Sequence, residues 1–252
     1  MYQNFILTLF CFFCLNFASL HAAPQFLEGE ELNYDIRWGF MDVGKAVLKT
    51  QKINSNQYLL SAYAKSVSSV ETFYPVRDTV LTWVDSNLLP IRFIKVLNEG
   101  SWRSRTNVFF DQVGLKAKMS DTVLESKSSK VKRSKDTLMN LAGPSHAVTS
   151  AFYLTRTLEL ASKTQQTFWA VSGTKNYKLK VLIQGRETVE TPAGKFKCVK
   201  VEPILDEDGL FKASGKMTIW LTDDVYKTPV LVKSKISLGS ITVELNQKPK
   251  RR

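Results

Sequence analysis

The sequence predicts a mainly β protein, with a single curved and largely antiparallel sheet of about 10–12 strands that stays open or forms an unclosed barrel. Three observations favour this fold class. Apolar and polar residues alternate over many short segments, as they do in strands with one buried face. Turn-forming residues separate those segments. Only one long segment, 148–161, has the spacing of a helix.

The alternation is clear in four segments and weaker in seven others. The clear segments place an apolar residue at every second position: 34–40, 179–183, 217–221 and 241–245. The weaker patterns predict further strands at 46–49, 58–64, 80–84, 91–97, 107–110, 168–171 and 230–236. Because side chains alternate across a strand, each of these segments is expected to bury one face and to expose the other.

One hairpin is predicted by its turn residues. Pro192 fixes φ early in the turn and Gly194 permits a positive φ late in it, so segments 187–190 and 196–201 should pair. The apolar phase of the second strand changes by one residue at Cys198. A β-bulge near Cys198 would accommodate that change.

The predicted helix at 148–161 repeats Phe152, Thr155 and Leu158 at three-residue steps. Gly143 and Pro144 precede it and prevent an earlier start. A shorter helical turn is predicted at 67–73.

The first 22 residues have the layout of a secretory signal peptide. Residues 5–17 are nearly all apolar, and small residues surround a potential cleavage site after Ala22. A membrane anchor that is retained is the alternative. Cleavage would remove two of the three cysteines and leave Cys198 without a disulfide partner. We therefore predict an exported protein with one β-rich domain at 23–247 and a basic tail at 248–252.

The chain has 35 basic and 23 acidic residues and a formal charge of +12. Such a charge attracts phosphates, acidic glycans and anionic lipids, although it can also serve only to keep a protein soluble. Segment 126–135 is basic and almost without apolar residues, so a mobile surface loop or a frayed edge hairpin is expected there. Its cations form a predicted anion-attracting set: Lys127, Lys130, Lys132, Arg133 and Lys135.

Few residues of the predicted exported chain could catalyse a reaction. It contains one histidine, His146, whereas a catalytic zinc needs three protein ligands. No Gly-x-Ser-x-Gly motif, phosphate-binding glycine loop or dinucleotide fingerprint is present. His146 is expected to cap the helix or to face solvent, and Cys198 to be a small buried apolar residue. We predict no catalytic residue, no metal site and no cofactor.

Aromatic side chains are the remaining candidates for a binding site, because they stack on sugars or line apolar cavities. Most tryptophans of a β-rich chain belong to the core, but Trp220 is out of phase with its apolar neighbours and should face the other side of its strand. The predicted ligand-binding residues are Tyr34, Trp38, Tyr153, Arg156 and Trp220.

Several segments together resemble the exported bacterial domain-of-unknown-function family 3108. The resemblance extends from about residue 26 to residue 245 and is carried by residues 29–34, 38–44, 84–90, 151–156, 191–196, 219–224 and 229–230. It implies a single β-rich domain in the envelope of a Gram-negative bacterium, in the periplasm. It implies no activity.

These observations favour a non-catalytic periplasmic binding or envelope-maintenance protein that holds a lipid or an acidic glycan on a concave sheet face. Two alternatives remain open. A carboxylate-based glycan hydrolase would need two opposed acidic side chains in a cleft, and a structural partner of an envelope complex would use a sheet edge or the basic tail. We expect a monomer with no nucleic-acid partner and, after signal cleavage, no transmembrane span.

Overall fold

The computed structural model describes residues 24–126, 128, 130–160, 165–205, 217–236 and 239–251. The predicted signal peptide at 1–22 lies outside these residues. The structure is 67% strand, with one large mixed sheet that is not closed and two short α-helices in the described part of the chain. The predicted fold class is confirmed.

The sheet has 16 strands, more than predicted. Their bounds are β1 Gly29–Trp38, β2 Met41–Lys52, β3 Tyr58–Ser66, β4 Arg77–Val84, β5 Pro90–Glu99, β6 Trp102–Asp111, β7 Lys116–Leu124, β8 Val131–Asn140, β9 Ser145–His146, β10 Gln165–Ser172, β11 Lys175–Thr191, β12 Gly194–Leu205, β13 Met217–Thr222, β14 Pro229–Ile236, β15 Gly239–Leu245 and β16 Lys250–Arg251. The helical elements are a 3-10 helix at Gln25–Glu28, α1 at Ser68–Glu71 and α2 at Val148–Leu154.

The strand order is β8-β7-β6-β5-β4-β3-β2-β1-β15-β14-β13-β12-β11-β10-β9, and β16 pairs separately with β1. Every pair is antiparallel except β9 with β10. The two strands at the ends of this order, β8 and β9, are neighbours in sequence. Gln112 fixes β9 beside the β6–β7 turn, since its amide both donates to the Ser145 carbonyl and accepts from the Ser145 amide at 3.0 Å.

The curved sheet encloses an apolar interior that α2 fills at one end, called the helix end below. There Tyr153 of α2 packs with Phe26, Tyr58 and Leu88. At the opposite end, called the open end, β1 finishes at Trp38 and the chain between β3 and β4 forms the short helix α1. This helical turn was predicted.

The predicted helix at 148–161 is too long. The helix α2 ends at Leu154, after which the amides of Arg156 and Thr157 bond to carbonyls only three residues back. Such bonds tighten the last turn. The chain then leaves the helix, which lets Leu160 pack against strands β11–β13. Residues 161–164 lie outside the described part of the chain.

Segment 126–135, expected to be a mobile loop or a frayed edge hairpin, contains the first half of β8, which forms an edge hairpin with β7. Strand β8 pairs with β7 from Lys116–Asn140 to Leu124–Val131. Its residues are mostly exposed on both faces, and no described strand other than β7 pairs with it. Alternation alone could not identify such a strand, since neither face is consistently apolar.

The predicted β-bulge near Cys198 is wrong. Strand pairing is continuous there, with Cys198 opposite Glu187 and Thr222. Strand β12 is covered on both sides, so Cys198 and its neighbour Val199 are both buried, in different apolar clusters. The irregularity lies instead in β11, between Ile183 and Gly185.

The end of the chain, expected to be a basic tail, is part of the sheet. Lys250 and Arg251 pair with Glu31 and Glu30 of β1. Among the described residues, no helix is long and apolar enough to cross a membrane.

Candidate functional site

An apolar cavity of about 440 Å³ opens at the open end of the sheet. We call it the mouth cavity. Its lining includes side chains from β1, β2, α1, β15 and the chain after α1, namely Ile36, Trp38, Val43, Val70, Ile241 and Tyr74. Ligand pockets of proteins usually measure about 300–1,000 Å³, so the mouth cavity has the size of a small-molecule site.

Local sequence explains why these residues meet. Alternation in β1 places Ile36 and Trp38 on the same face, and Ile241 lies directly opposite Trp38. A register shift opposite Ile36 adds Val43 to the lining as an extra residue of β2. Gly44 allows β2 and β3 to approach closely, because a Cβ there would lie 2.8 Å from the Lys65 carbonyl oxygen.

Large apolar side chains surround the mouth cavity and project into solvent. The most exposed are Phe40 in the β1–β2 turn, at 87%, and Phe73 after α1, at 86%. A hydrogen bond from the Val67 amide, just before α1, to the Val43 carbonyl holds the start of α1 against β2. We define the apolar rim as Trp38, Phe40, Met41, Phe73 and Tyr74, all of which are exposed. Phe40, predicted to extend the β1 alternation, lies beyond the end of that strand.

The predicted ligand-binding residues do not form one site. Trp38 lines the mouth cavity, whereas Tyr34, Tyr153 and Trp220 are almost fully buried elsewhere. The Tyr34 hydroxyl donates to the Pro229 carbonyl at 2.8 Å. The Trp220 indole donates to the Glu187 carboxylate at 2.6 Å, which lowers the pKa of Glu187.

Arg156 is buried at the helix end, where its guanidinium forms a two-pronged ion pair with Glu30 at 2.6 and 3.0 Å. Both side chains are fully inaccessible to solvent. The guanidinium also donates to the Tyr226 carbonyl and lies over the Phe26 ring, 4.0 Å from its centre. The Arg156 guanidinium is therefore engaged by neighbouring side chains and a carbonyl, and these contacts hold the helix end together.

Glu30 and Arg251 were not recognised from the sequence. Arg251 donates to Oε1 of Glu30 at 2.9 Å, the same oxygen that accepts one bond from Arg156, and its guanidinium lies over the Tyr226 ring. The 126 residues between Glu30 and Arg156 hide the ion pair from any local pattern. The one sequence feature that could have indicated it is Glu30 itself, an acidic residue at a position of β1 that alternation assigns to the buried face.

A second concavity, of about 420 Å³, lies on the outer face of β1–β3 and contains Lys45, Lys49 and Lys65. Two of these lysines already have acidic neighbours. Lys49 contacts Glu31 at 2.8 Å and, with Asn33 and Lys250, lowers the pKa of Glu31 to about 2. Lys45 lies 3.9 Å from Asp35.

The predicted anion-attracting cations lie along β8 and just before it. Lys130, Lys132, Arg133 and Lys135 are exposed, and Lys127 lies outside the described residues. Asp121 is the direct cross-strand neighbour of Lys135. These cations do not line the mouth cavity.

His146 is buried in β9 and does not cap α2. Its Nδ1 lies 3.1 Å from the Leu88 carbonyl, and its ring packs edge-on against Phe168. Burial lowers the pKa of His146 to about 4, so the imidazole is neutral at pH 7 and Nδ1 carries the proton that the carbonyl accepts. The expectation of a capping or solvent-facing role is therefore wrong.

Cys198 is buried, as expected, and burial raises the pKa of its thiol to about 12. A thiol of this kind is a poor nucleophile at neutral pH. The described residues contain no group of three or more histidine, cysteine, aspartate or glutamate side chains that could hold a metal ion.

One pair of carboxyl groups, Asp78 and Glu99, lies beside the mouth cavity. Asp78 pairs with Ala64 and Glu99 with Val76, both of which line the cavity. Burial, the negative charge of Asp78 and a hydrogen bond to it raise the pKa of Glu99. The two carboxyl groups therefore lie within hydrogen-bonding distance of each other. Glycosidases instead hold their two carboxyl groups about 5–9.5 Å apart to admit the sugar or a water molecule.

The sequence matches one family model, described as "Protein of unknown function (DUF3108)", over residues 33–246. The chain belongs to the DUF3108 family. No curated protein is significantly similar to it in sequence.

The DUF3108 chain shares its fold with a β-barrel-like protein of the family DUF1849 from Brucella abortus. The two structures superpose with a TM-score of 0.55 at 11% identity, over 90% of this chain and 98% of that chain. At this identity the likeness shows the fold alone.

Two other crystal structures are similar to the DUF3108 chain at lower scores. One is a candidate exported protein with a YmcC-like fold from Bacteroides fragilis NCTC 9343, with a TM-score of 0.37 and 10% identity over 88% of this chain and 96% of that chain. The other is a candidate lipoprotein from Parabacteroides distasonis ATCC 8503, with a TM-score of 0.38 and 11% identity over 90% and 97% of the two chains.

The segments that resemble DUF3108 in sequence build both ends of the sheet. Residues 38–44 form the β1–β2 turn beside the mouth cavity. Residues 151–156 contain the end of α2 and the buried Arg156.

Proposed function

We propose that this DUF3108 protein is a non-catalytic binding protein of the bacterial envelope, exported to the periplasm as one domain at 23–247, that holds the apolar part of a lipid in the mouth cavity. The observation that carries the proposal is the apolar lining of this cavity at the open end of the sheet. Burying an apolar chain there would release water from both surfaces, which is favourable without any specific polar contact.

The lining favours a lipid over an acidic glycan. Sugars are held by several placed hydrogen-bonding groups, whereas Ile36, Val43 and Val70 offer none. The outer groove has cations, but Glu31 and Asp35 partly neutralise Lys49 and Lys45. The direct contact of Asp78 with Glu99 does not supply the carboxyl spacing that a glycan hydrolase needs.

The proposal can be tested by titrating the purified protein with cis-parinaric acid, a fluorescent fatty acid. Wild type should show saturable binding. The variant Val70→Trp fills the cavity with a bulky ring and should weaken that binding by roughly tenfold or more, because buried apolar contacts are lost. Val113→Trp is the matched control, since Val113 is fully exposed in the β6–β7 turn at the helix end.

A series of unlabelled saturated fatty acids that compete with the probe sharpens the test. Each added methylene that is buried contributes about 0.8 kcal/mol, so the affinity should rise about fourfold per methylene until the chain exceeds the cavity. Native mass spectrometry of protein extracted mildly from the envelope should also show a bound lipid. The absence of saturable binding by wild type, or equal binding by Val70→Trp, would contradict the proposal.

A further inference from the structure

We propose that the apolar rim docks on the surface of an anionic membrane, with Phe40 and Phe73 inserted at the boundary between head groups and acyl chains. The docking depends on exposed side chains at the open end and does not require a ligand in the mouth cavity. Only its consequence, direct passage of a lipid between the bilayer and the mouth cavity, rests on the proposed function.

The first observation is the position of the rim. Phe40 and Phe73 are 87% and 86% exposed. Phe40 follows Trp38 by two residues and Phe73 directly precedes Tyr74, and both of those neighbours line the cavity. A soluble monomer rarely exposes several large apolar side chains side by side unless they contact a partner. Tryptophan and tyrosine are enriched where proteins meet the head-group region, and Trp38 and Tyr74 complete this rim.

The second observation is a row of positive charge on the outer face, just below the rim. Lys45, Lys65 and Arg77 are direct cross-strand neighbours in β2, β3 and β4. The row continues through Asn98 to Arg103 in β6. We call these four cations the basic belt. Asp35 lies 3.9 Å from Lys45 and Glu71 contacts Arg77, whereas Lys65 forms no ion pair with any described residue.

The β7–β8 hairpin adds to the positive charge of the open end. Strand β8 starts there, so Lys130 and Lys132 are exposed on the same end of the sheet as the basic belt. The cations predicted from the sequence to attract anions would therefore act together with the belt.

The layering of the two features points to a bilayer and not to a protein partner. Apolar side chains lie outermost, and cations lie a few residues behind them, at about 3.3 Å per strand residue. Interfacial segments insert their apolar face about 5–10 Å into the boundary region. At that depth the basic belt would face the phosphate groups, and anionic lipids attract such clusters of lysine and arginine.

The test is co-sedimentation of the predicted exported chain, residues 23–252, with vesicles of phosphatidylethanolamine and phosphatidylglycerol. Wild type should sediment with them. The double variant Phe40→Ser with Phe73→Ser should bind at least roughly tenfold more weakly, because the inserted apolar area is lost. The matched control, Val113→Ser with Val225→Ser, changes two valines that are 97% and 83% exposed on turns at the helix end, and it should bind like wild type.

Two further measurements distinguish the contribution of the basic belt to vesicle binding from ligand binding in the mouth cavity. Binding should weaken with added salt and on vesicles of phosphatidylcholine alone, since the basic belt needs anionic lipid. The Phe40→Ser, Phe73→Ser variant should still bind cis-parinaric acid in the absence of vesicles. Retention of fatty-acid binding with loss of vesicle binding supports docking through the rim. If wild type binds vesicles but no fatty acid, the proposed function fails while the docking stands.

Two outcomes would overturn the docking proposal. The first is vesicle binding by the rim variant equal to that of wild type. The second is failure of wild type to bind vesicles. If wild type then forms a dimer that the rim variant does not form, the rim is the contact surface for a second copy of the chain.

Discussion

Glu30 is the residue on which the helix end depends most, because its carboxylate is buried between two arginines. Arg156 is fully inaccessible and Arg251 is partly exposed. Burying such charges is costly, but removing one partner costs more, since the other charge stays buried without compensation. The ion pair also holds the segment after α2 against β1 and closes this end of the sheet.

The substitution Glu30→Gln should lower the free energy of unfolding by about 3–5 kcal/mol, because it leaves Arg156 buried without a counter-charge. Urea denaturation measures this loss. The control is Glu28→Gln, which breaks the exposed ion pair of Glu28 with Lys52 at 2.9 Å and should change stability far less, because water screens an exposed pair. Similar losses for the two variants would show that burial of the Glu30 pair contributes little.

His146 should make the stability of the protein depend on pH. Its pKa is about 4 in the folded protein and about 6.5 in an unfolded chain. The unfolded state therefore binds a proton first as the pH falls. The stabilisation is present above pH 6.5 and is lost progressively as the pH decreases to about 4, and the loss amounts to about 3 kcal/mol.

Comparison of wild type with His146→Phe isolates this contribution, because carboxyl groups titrate in both proteins. Phenylalanine keeps the ring contact with Phe168 but carries no proton. The free energy of unfolding should fall less steeply for the variant between pH 7 and pH 4. Parallel curves for the two proteins would contradict the assignment of a neutral, buried His146.

At the scale of elements, β8 shows how an edge strand differs from a loop with the same composition. Its outer edge is unpaired within the described structure, and exposed strand edges tend to pair with other molecules. Lysine on an edge strand opposes such pairing through charge. We therefore expect the basic residues of β8 to oppose edge-to-edge association between copies of the sheet.

Replacement of Lys132 and Lys135 by threonine should increase aggregation at elevated concentration, as measured by light scattering. Threonine favours strands and removes the repulsive charge from the edge. The control is Lys116→Thr with Lys118→Thr in β7, which changes the net charge equally but lies in a strand paired on both sides. Equal aggregation of the two variants would mean that net charge alone, and not the edge, controls association.

The helix α2 and the strand β16 show two further limits of local patterns. Apolar spacing predicts α2 through residue 161, yet the chain leaves the helix after Leu154 to bring Leu160 into a different apolar cluster. Lys250 and Arg251 look like a polar tail, yet they pair with β1 because Glu30 and Glu31 offer matching charges. In both cases a contact distant in sequence decides the local structure.

At the scale of the whole molecule, the two ends of the curved sheet differ in what they can do. The helix end is filled by α2 and fixed by the Glu30–Arg156 ion pair. The open end has the mouth cavity, the apolar rim and the basic belt. The proposed lipid binding and membrane docking both use this difference, since a closed end supplies rigidity and an open end supplies access.

The sequence alone determined the mainly β class and most of the strands. These follow from alternation and turn chemistry, which act between residues close in the chain. Only the tertiary structure decided that Arg156 pairs with Glu30, that Tyr34 and Tyr153 are buried away from Trp38, and that Val43, Val70 and Ile241 line one cavity. The physical reason is that curvature and strand order bring together residues up to about 200 positions apart, and no local pattern encodes which strands become neighbours.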